Sequence, residues 1–246
     1  MHVLALDTTT RDGSVALVDE RGTIDERRGD AARTHAERLP RELVDVAAAH
    51  GMAPREVDLF AVATGPGSFT GLRIGIATIQ GLAFTAERRV VGVSALEALA
   101  VIARQGLRPG DTIAAWMDAR RREVFAALYR AAEHDAVVEI DPPTVGYPGD
   151  VLGRWSGRLE PRTRFAGDGA SLYADTIVAA VPAAEIIGHP LLAGVIGRLA
   201  LARRGDGVDP AGVRPLYVRR PDAEIERDRR QQTPATTDTT DTKQIP

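Results

Sequence analysis

The chain is 246 residues long, with 44% hydrophobic and 26% charged residues and a formal net charge of −3. That mix belongs to a globular protein with one large core or two modest ones, and excludes a disordered or fibrous chain. Its 31 basic residues are 30 arginines and one lysine, Lys243 in a polar terminal stretch, and it has no cysteine, which excludes thiolate nucleophiles, Cys-ligated zinc, iron–sulfur clusters, disulfides, Schiff-base catalysis and a phosphate-loop lysine.

The amino terminus, Met1 to Asp7, has no basic region, and no apolar run in the chain reaches membrane-spanning length. Neither a signal peptide nor a membrane span is expected, and a cytoplasmic location follows. Val3-Leu4-Ala5-Leu6-Asp7 reads as a strand buried on both faces and ending in a carboxylate. A polar turn over residues 8–13 leads to a second strand, Ser14–Val18, and Gly22 opens a third over Thr23–Arg27. Thr34 and Glu37 have capping-box spacing, and Leu39, Leu43, Val46 and Ala47 continue at helical offsets to about His50, with Pro40 expected to kink the first turns. A strand over Asp58–Ala63 enters the glycine-rich turn Gly65–Gly71, a helix runs from Gly71 to Glu87, and Val90–Val93 is a short strand. Ser94 with Glu97 opens a further helix to about Gln105.

Ile113–Asp118 is again an apolar run ending in Asp, followed by the turn Ala119–Arg122 and a return strand, Val124–Tyr129. Asp7 and Asp118 thus hold equivalent places, which predicts a duplicated β-β-β-α-β-α unit in two facing lobes, 1–105 and 106–220. Thr163–Ala166 reads as a strand, Ser171 opens a helix, and Leu191–Arg203 is the last one. Residues 221–246 are charged, Thr-rich and nearly free of apolar residues, and are expected to form a disordered tail.

Gly65–Gly71 lies between a strand and a helix, where backbone amides can cradle an anion. It fails the phosphate-loop pattern, because Thr70 and Leu72 stand where that pattern needs other residues, and it fails the dinucleotide fingerprint at Thr70. A tight turn for close helix packing is the plainer reading. Gly71, Gly75 and Thr78 share one helix face that calls for close approach of another helix, in the same chain or in another. Asp7 and Asp118 could hold a hydrated Mg²⁺ beside a phosphate, or simply terminate strands. The five histidines never fall three to five apart, so no helix-borne metal pair is expected. Ser68 lacks a nucleophile-elbow context. The acidic balance disfavours unaided nucleic-acid binding; Arg120-Arg121-Arg122 is then a solvated turn or a local RNA phosphate contact.

Five segments together resemble the TsaB family, the dimerisation subunits of the bacterial machinery for threonylcarbamoyladenosine in tRNA. They are Leu4–Thr10, Thr34–Pro40, Gly65–Gly75, Val91–Ala100 and Asp118–Arg121 with Glu123–Phe125. The resemblance runs from residue 2 to about 220 and is firm to about 130. It implies an α/β, actin-like ATPase fold (ASKHA, ribonuclease H-like) of two duplicated lobes with mixed β-sheets and flanking helices. It also implies a catalytically silent relative of TsaD, the subunit that transfers the threonylcarbamoyl group to the tRNA adenosine beside the anticodon. TsaD and the nucleotide-binding TsaE are the implied partners, self-dimerisation is an open possibility, and tRNA is reached only through the complex. No tightly bound cofactor is implied, with ATP or ADP and Mg²⁺ expected only in the assembly. Carried over by position, the partner interface falls on His35, Leu39, Leu43, Gly71, Arg73, Gly75 and Ile76. Asp7, Thr8, Thr9, Asp118, Gly167 and Asp168 could be the remnant of a nucleotide site. The alternative is an ATP-dependent sugar-kinase-like or ATPase enzyme with Asp7 as metal anchor and Asp118 as base.

Overall fold

A computed structural model describes residues 1–134 and 136–219; the expected tail, 221–246, lies outside the described residues. Two five-stranded mixed sheets form the frame. The first comprises β1 (Val3–Asp7), β2 (Ser14–Asp19), β3 (Gly22–Arg28), β4 (Leu59–Gly65) and β5 (Val90–Ser94), in the order β3-β2-β1-β4-β5. The second comprises β6 (Thr112–Asp118), β7 (Val124–Ala131), β8 (Val137–Gly146), β9 (Arg164–Ala166) and β10 (Glu185–Ile187), in the order β10-β9-β6-β7-β8. In each sheet the first strand pairs antiparallel with the second and parallel with the fourth. The same unit therefore occurs twice, and Asp7 and Asp118 end the two equivalent strands. This is the duplicated, ribonuclease H-like arrangement of the actin-like ATPase fold.

The helices are α1 (His35–Ala48), α2 (Phe69–Ala86), α3 (Ala95–Ala103), α4 (Pro148–Trp155), α5 (Asp168–Leu172), α6 (Ala174–Ala180) and α7 (Ala193–Ala202). Alternation along buried strands assigns their two faces to different layers. Leu4, Leu6, Phe60 and Val62 face α1 and α2, whereas Val3, Ala5, Ala61 and Ala63 face a central layer holding α3 and α7. Trp116, Ala126, Leu128 and Phe165 form the outer core of the second lobe with α4 to α6.

The last helix of each repeat crosses to the other lobe. α3 packs on the second sheet, while α7 packs across β1, β2, β3 and β4. The alanines of the first sheet leave room for this approach: a Cβ at Gly197 would stand 2.6 Å from Val18 Cγ2 and 3.2 Å from Ala5 Cβ. The α7 amino terminus is anchored there as well, with the Ala193 amide donating to Ser14 Oγ at 3.0 Å and the Gly194 amide to the Glu26 carboxylate at 2.8 Å. Beyond α7, Val208 bridges Val90, and the Leu216 amide donates to the Thr64 carbonyl at 2.7 Å. α7, Val208 and Leu216 thus pack on the first sheet although they follow the second-lobe strands in sequence.

Local signals act as expected at α1, where the Glu37 carboxylate accepts from the Thr34 amide at 2.8 Å and its hydroxyl at 2.7 Å. Pro40 lies within α1 without ending it. At α3 the box is half made. Ser94 Oγ accepts from the Glu97 amide at 3.4 Å, but the Glu97 carboxylate pairs with Arg203 of α7. α2 starts at Phe69, two residues before the expected position, with Ser68 as its cap.

Candidate functional site

The two equivalent strand ends face a cleft of about 840 Å³ between the lobes. Thr9 and the Gly67–Gly71 turn line it from the first lobe, and Asp118 and Asp168 from the second. Asp7, Thr8 and Gly167 do not reach it. The Asp7 side chain is only 1% exposed, and its Oδ1 accepts from the Thr9 amide at 2.9 Å and the Thr9 hydroxyl at 2.7 Å. Burial raises the Asp7 carboxyl above its ordinary value despite both hydrogen bonds. A carboxylate directed into its own turn is not placed to anchor a metal in the cleft.

The glycine turn is pressed against the same segment. A Cβ at Gly67 would lie 2.6 Å from Thr9 Cβ and 2.7 Å from its carbonyl oxygen, and the Ser68 amide donates to that oxygen at 2.9 Å. At Gly71 an added Cβ would overlap the Thr8 carbonyl oxygen, and at Gly75 the Thr8 hydroxyl. Two amides of the turn are already bound within the chain, Ser68 to the Thr9 carbonyl and Gly71 to Ser68 Oγ at 3.2 Å. The second lobe repeats the closure: Asp168 Oδ1 accepts from the Asp118 amide at 3.0 Å and the Gly169 amide at 2.9 Å. Asp118 pairs with Arg120 at 3.0 Å. The residues present do not fit a magnesium nucleotide held in the manner of the fold's ATPases.

The seven expected interface residues separate into two groups. Leu39, Leu43, Ile76, Gly71 and Gly75 are buried inside their own chain, between α1, α2, the first sheet and Thr8. Within the chain the Gly71/Gly75 face receives Thr8. His35 is half-buried; burial, then the neighbouring Arg38 charge, lowers its pKa, and Nε2 has no partner among the described residues. Arg73 is exposed, with its guanidinium 3.9 Å above the Phe69 ring and Nε donating to the Tyr217 hydroxyl at 3.1 Å.

The outward stripe of α2 is Thr70, Arg73, Ala77, Gly81 and Phe84, all exposed. Nothing lies within 4 Å of a Cβ placed at Gly81. Phe84 is 76% exposed, Phe69 41% and Val44 of α1 41%. Exposed apolar side chains together with two small residues, Ala77 and Gly81, make a surface suited to close helix approach. Offsets from Gly71 could have located this stripe, one step around the helix, once the inner face was known.

The segment 214–219 closes one side of the cleft. Tyr217 meets Phe69 with centroids 5.4 Å apart, and Arg219 donates to the Ala119 carbonyl at 2.8 Å and pairs with Glu123. In the β6–β7 turn, Arg120, Arg121 and Arg122 have φ of 61°, 55° and 64°, a left-handed run that costs an L residue about 1–2 kcal/mol per position. No helix among the described residues is long and apolar enough to cross a membrane, and no group of three or more metal-ligating residues is found among them.

The sequence model of the TsaD family, described as tRNA N6-adenosine threonylcarbamoyltransferase, matches residues 28–151. The TsaB protein of Haemophilus influenzae is 41% identical over 51% of this chain and 52% of its own. The Bacillus subtilis TsaB protein is 28% identical over 91% of this chain and 96% of its own. The solved structure of YeaZ from Pseudomonas aeruginosa superposes with a TM-score of 0.71 at 32% identity, covering 88% of this chain and 99% of that one. The chain spans little more than half the length of several curated relatives that it matches, 52% to 57%. A shared sequence model, full-length similarity to TsaB and a common fold with YeaZ converge: the chain belongs to the TsaB family.

Proposed function

We propose that this chain is a non-catalytic dimerisation subunit for threonylcarbamoyl transfer to the tRNA adenosine adjacent to the anticodon. It heterodimerises with a TsaD-type catalytic subunit in the cytoplasm, and a TsaE-type ATPase joins the pair. The observation that carries the reading is the closed strand end. Asp7 is directed onto Thr9, and Thr8 and Thr9 fill the space beside Gly67 and Gly71, so the chain offers a rigid scaffold in place of a phosphate site. The docking surface is the outward stripe of α2, with Val44 of α1 as a second exposed apolar residue. A second copy of the chain would use the same stripe, so self-association and heterodimerisation compete.

Reconstitution tests this reading. Threonylcarbamoyl transfer to tRNA by the TsaD- and TsaE-type partners from the same cell should depend on this chain, and Asp118→Asn should support it as well as the unaltered chain does. Mg²⁺-dependent ATP turnover by the chain alone, lost in Asp118→Asn, would favour the kinase or ATPase reading instead.

A further inference from the structure

The backbone departs furthest from the preference of its residues in the β6–β7 turn. Three successive arginines there have φ between 55° and 64°, although Gly, Asn and Asp are the residues that tolerate this conformation. Such a geometry persists only when its surroundings hold it. The Glu123 amide donates to the Arg120 carbonyl at 2.9 Å, and the Ala119 amide to the Glu123 carbonyl at 3.0 Å. Arg219 braces the turn from outside through the Ala119 carbonyl and the Glu123 carboxylate. The result is a fixed loop whose Arg120 lines the cleft, with Arg122 exposed on the same turn.

The charge around that mouth opposes the charge of the whole. Five arginines line the cleft, Arg11 and Arg33 from the first lobe and Arg120, Arg121 and Arg219 from the side of the second, against two aspartates. The complete chain carries −3. A cleft of one sign between low-dielectric walls concentrates field, and guanidinium forks match phosphate oxygens. Arg11 and Arg33 lie across the cleft from the turn, so a ligand that bridges them is extended and carries more than one phosphate.

We propose that the Arg120–Arg122 turn, together with Arg11 and Arg33, is a contact element for an RNA phosphate backbone, and that this subunit touches tRNA itself. The inference rests on the reading of the chain as a tRNA-modification subunit but goes beyond it, because docking onto a catalytic partner requires no RNA contact. Small polyphosphates share the same chemistry, and the experiment separates the two.

The test measures fluorescence anisotropy of labelled tRNA with the full chain alone, over a salt series, with tripolyphosphate as the small-anion probe. Glycine accepts positive φ, so the double variant Arg120→Gly/Arg122→Gly removes both charges and keeps the turn, which an unchanged or raised melting temperature verifies. Each lost phosphate contact should reduce the slope of log affinity against log salt by about 0.7–0.9, so the double variant should bind tRNA with a slope lower by about 1.5. Arg162→Gln, in an exposed loop away from the cleft, should bind as the unaltered chain does. The proposal is overturned if the unaltered chain binds no tRNA at low salt, if the double variant keeps affinity and slope, if Arg162→Gln loses as much, or if tripolyphosphate binds where tRNA does not. None of these outcomes bears on partner docking, because no partner is present.

Discussion

Gly75 of α2 lies directly against the Thr8 side chain, where a Cβ would overlap the hydroxyl and stand 2.9 Å from Thr8 Cγ2. This contact joins the second turn of α2 to the strand end that carries Asp7. It makes Gly75 a determinant of the fold of the single chain.

Gly75→Ala should therefore destabilise the isolated protein by about 1–3 kcal/mol, the cost of overpacking a tight interior. Gly81→Ala, in the same helix but open to solvent, should stabilise it by up to about 1 kcal/mol through helix propensity. Urea denaturation of both variants checks the pair. Equal effects would show that Gly75 is not packed as described.

Asp7 gives a pH signature. The folded chain holds the Asp7 proton more tightly than the unfolded chain, because burial raises its carboxyl above the ordinary 3.8. This contribution to stability is greatest below that ordinary value and is lost as pH rises through the raised one. Asp7→Asn keeps an acceptor for Thr9 and removes the titration. The melting temperature of the variant should gain on that of the parent as pH increases across this window. A difference that does not change with pH would contradict the account.

Arg38 is almost wholly buried; it pairs with Glu42 at 2.6 Å and donates to the carbonyls of Arg11 and Asp12. Arg38→Met should cost about 2–4 kcal/mol, since it leaves these acceptors without their charged donor. The β1–β2 turn should lose amide-exchange protection first. Uniform loss across the chain would argue against a local bracing role.

Gly197→Val should lower stability by several kcal/mol, because its Cβ meets Val18 and Ala5 on the first sheet. Proteolysis should then open the first lobe, to which α7 belongs in space, and not the second, to which it belongs in sequence. Cleavage confined to the second lobe would refute the crossed packing.

The duplicated strands were legible because β1 and β6 are buried on both faces, so each reads as an unbroken apolar run closed by Asp. β8 and α4 escaped notice. Pro142 and Pro143 argue against a strand, and β8 tolerates them at the edge of its sheet. Helical spacing showed that α7 would be buried but not against which sheet, since an apolar stripe does not name its cover. The same limit governed Gly71 and Gly75. Their spacing revealed a face for close approach, and only the fold shows that Thr8 occupies it. Arg73 and Tyr217 are joined across 144 residues of chain, and Phe69 meets the same Tyr217 ring, a separation that no local pattern carries.

Binding of a TsaD-type partner from the same cell by titration calorimetry, with Gly81→Trp and the unaltered chain side by side, tests the central claim most directly. The account predicts that Gly81→Trp folds with an undiminished melting temperature and binds the partner at least about tenfold more weakly, a loss of about 1.4 kcal/mol. Undiminished affinity in a correctly folded Gly81→Trp variant would contradict docking through the outer stripe of α2.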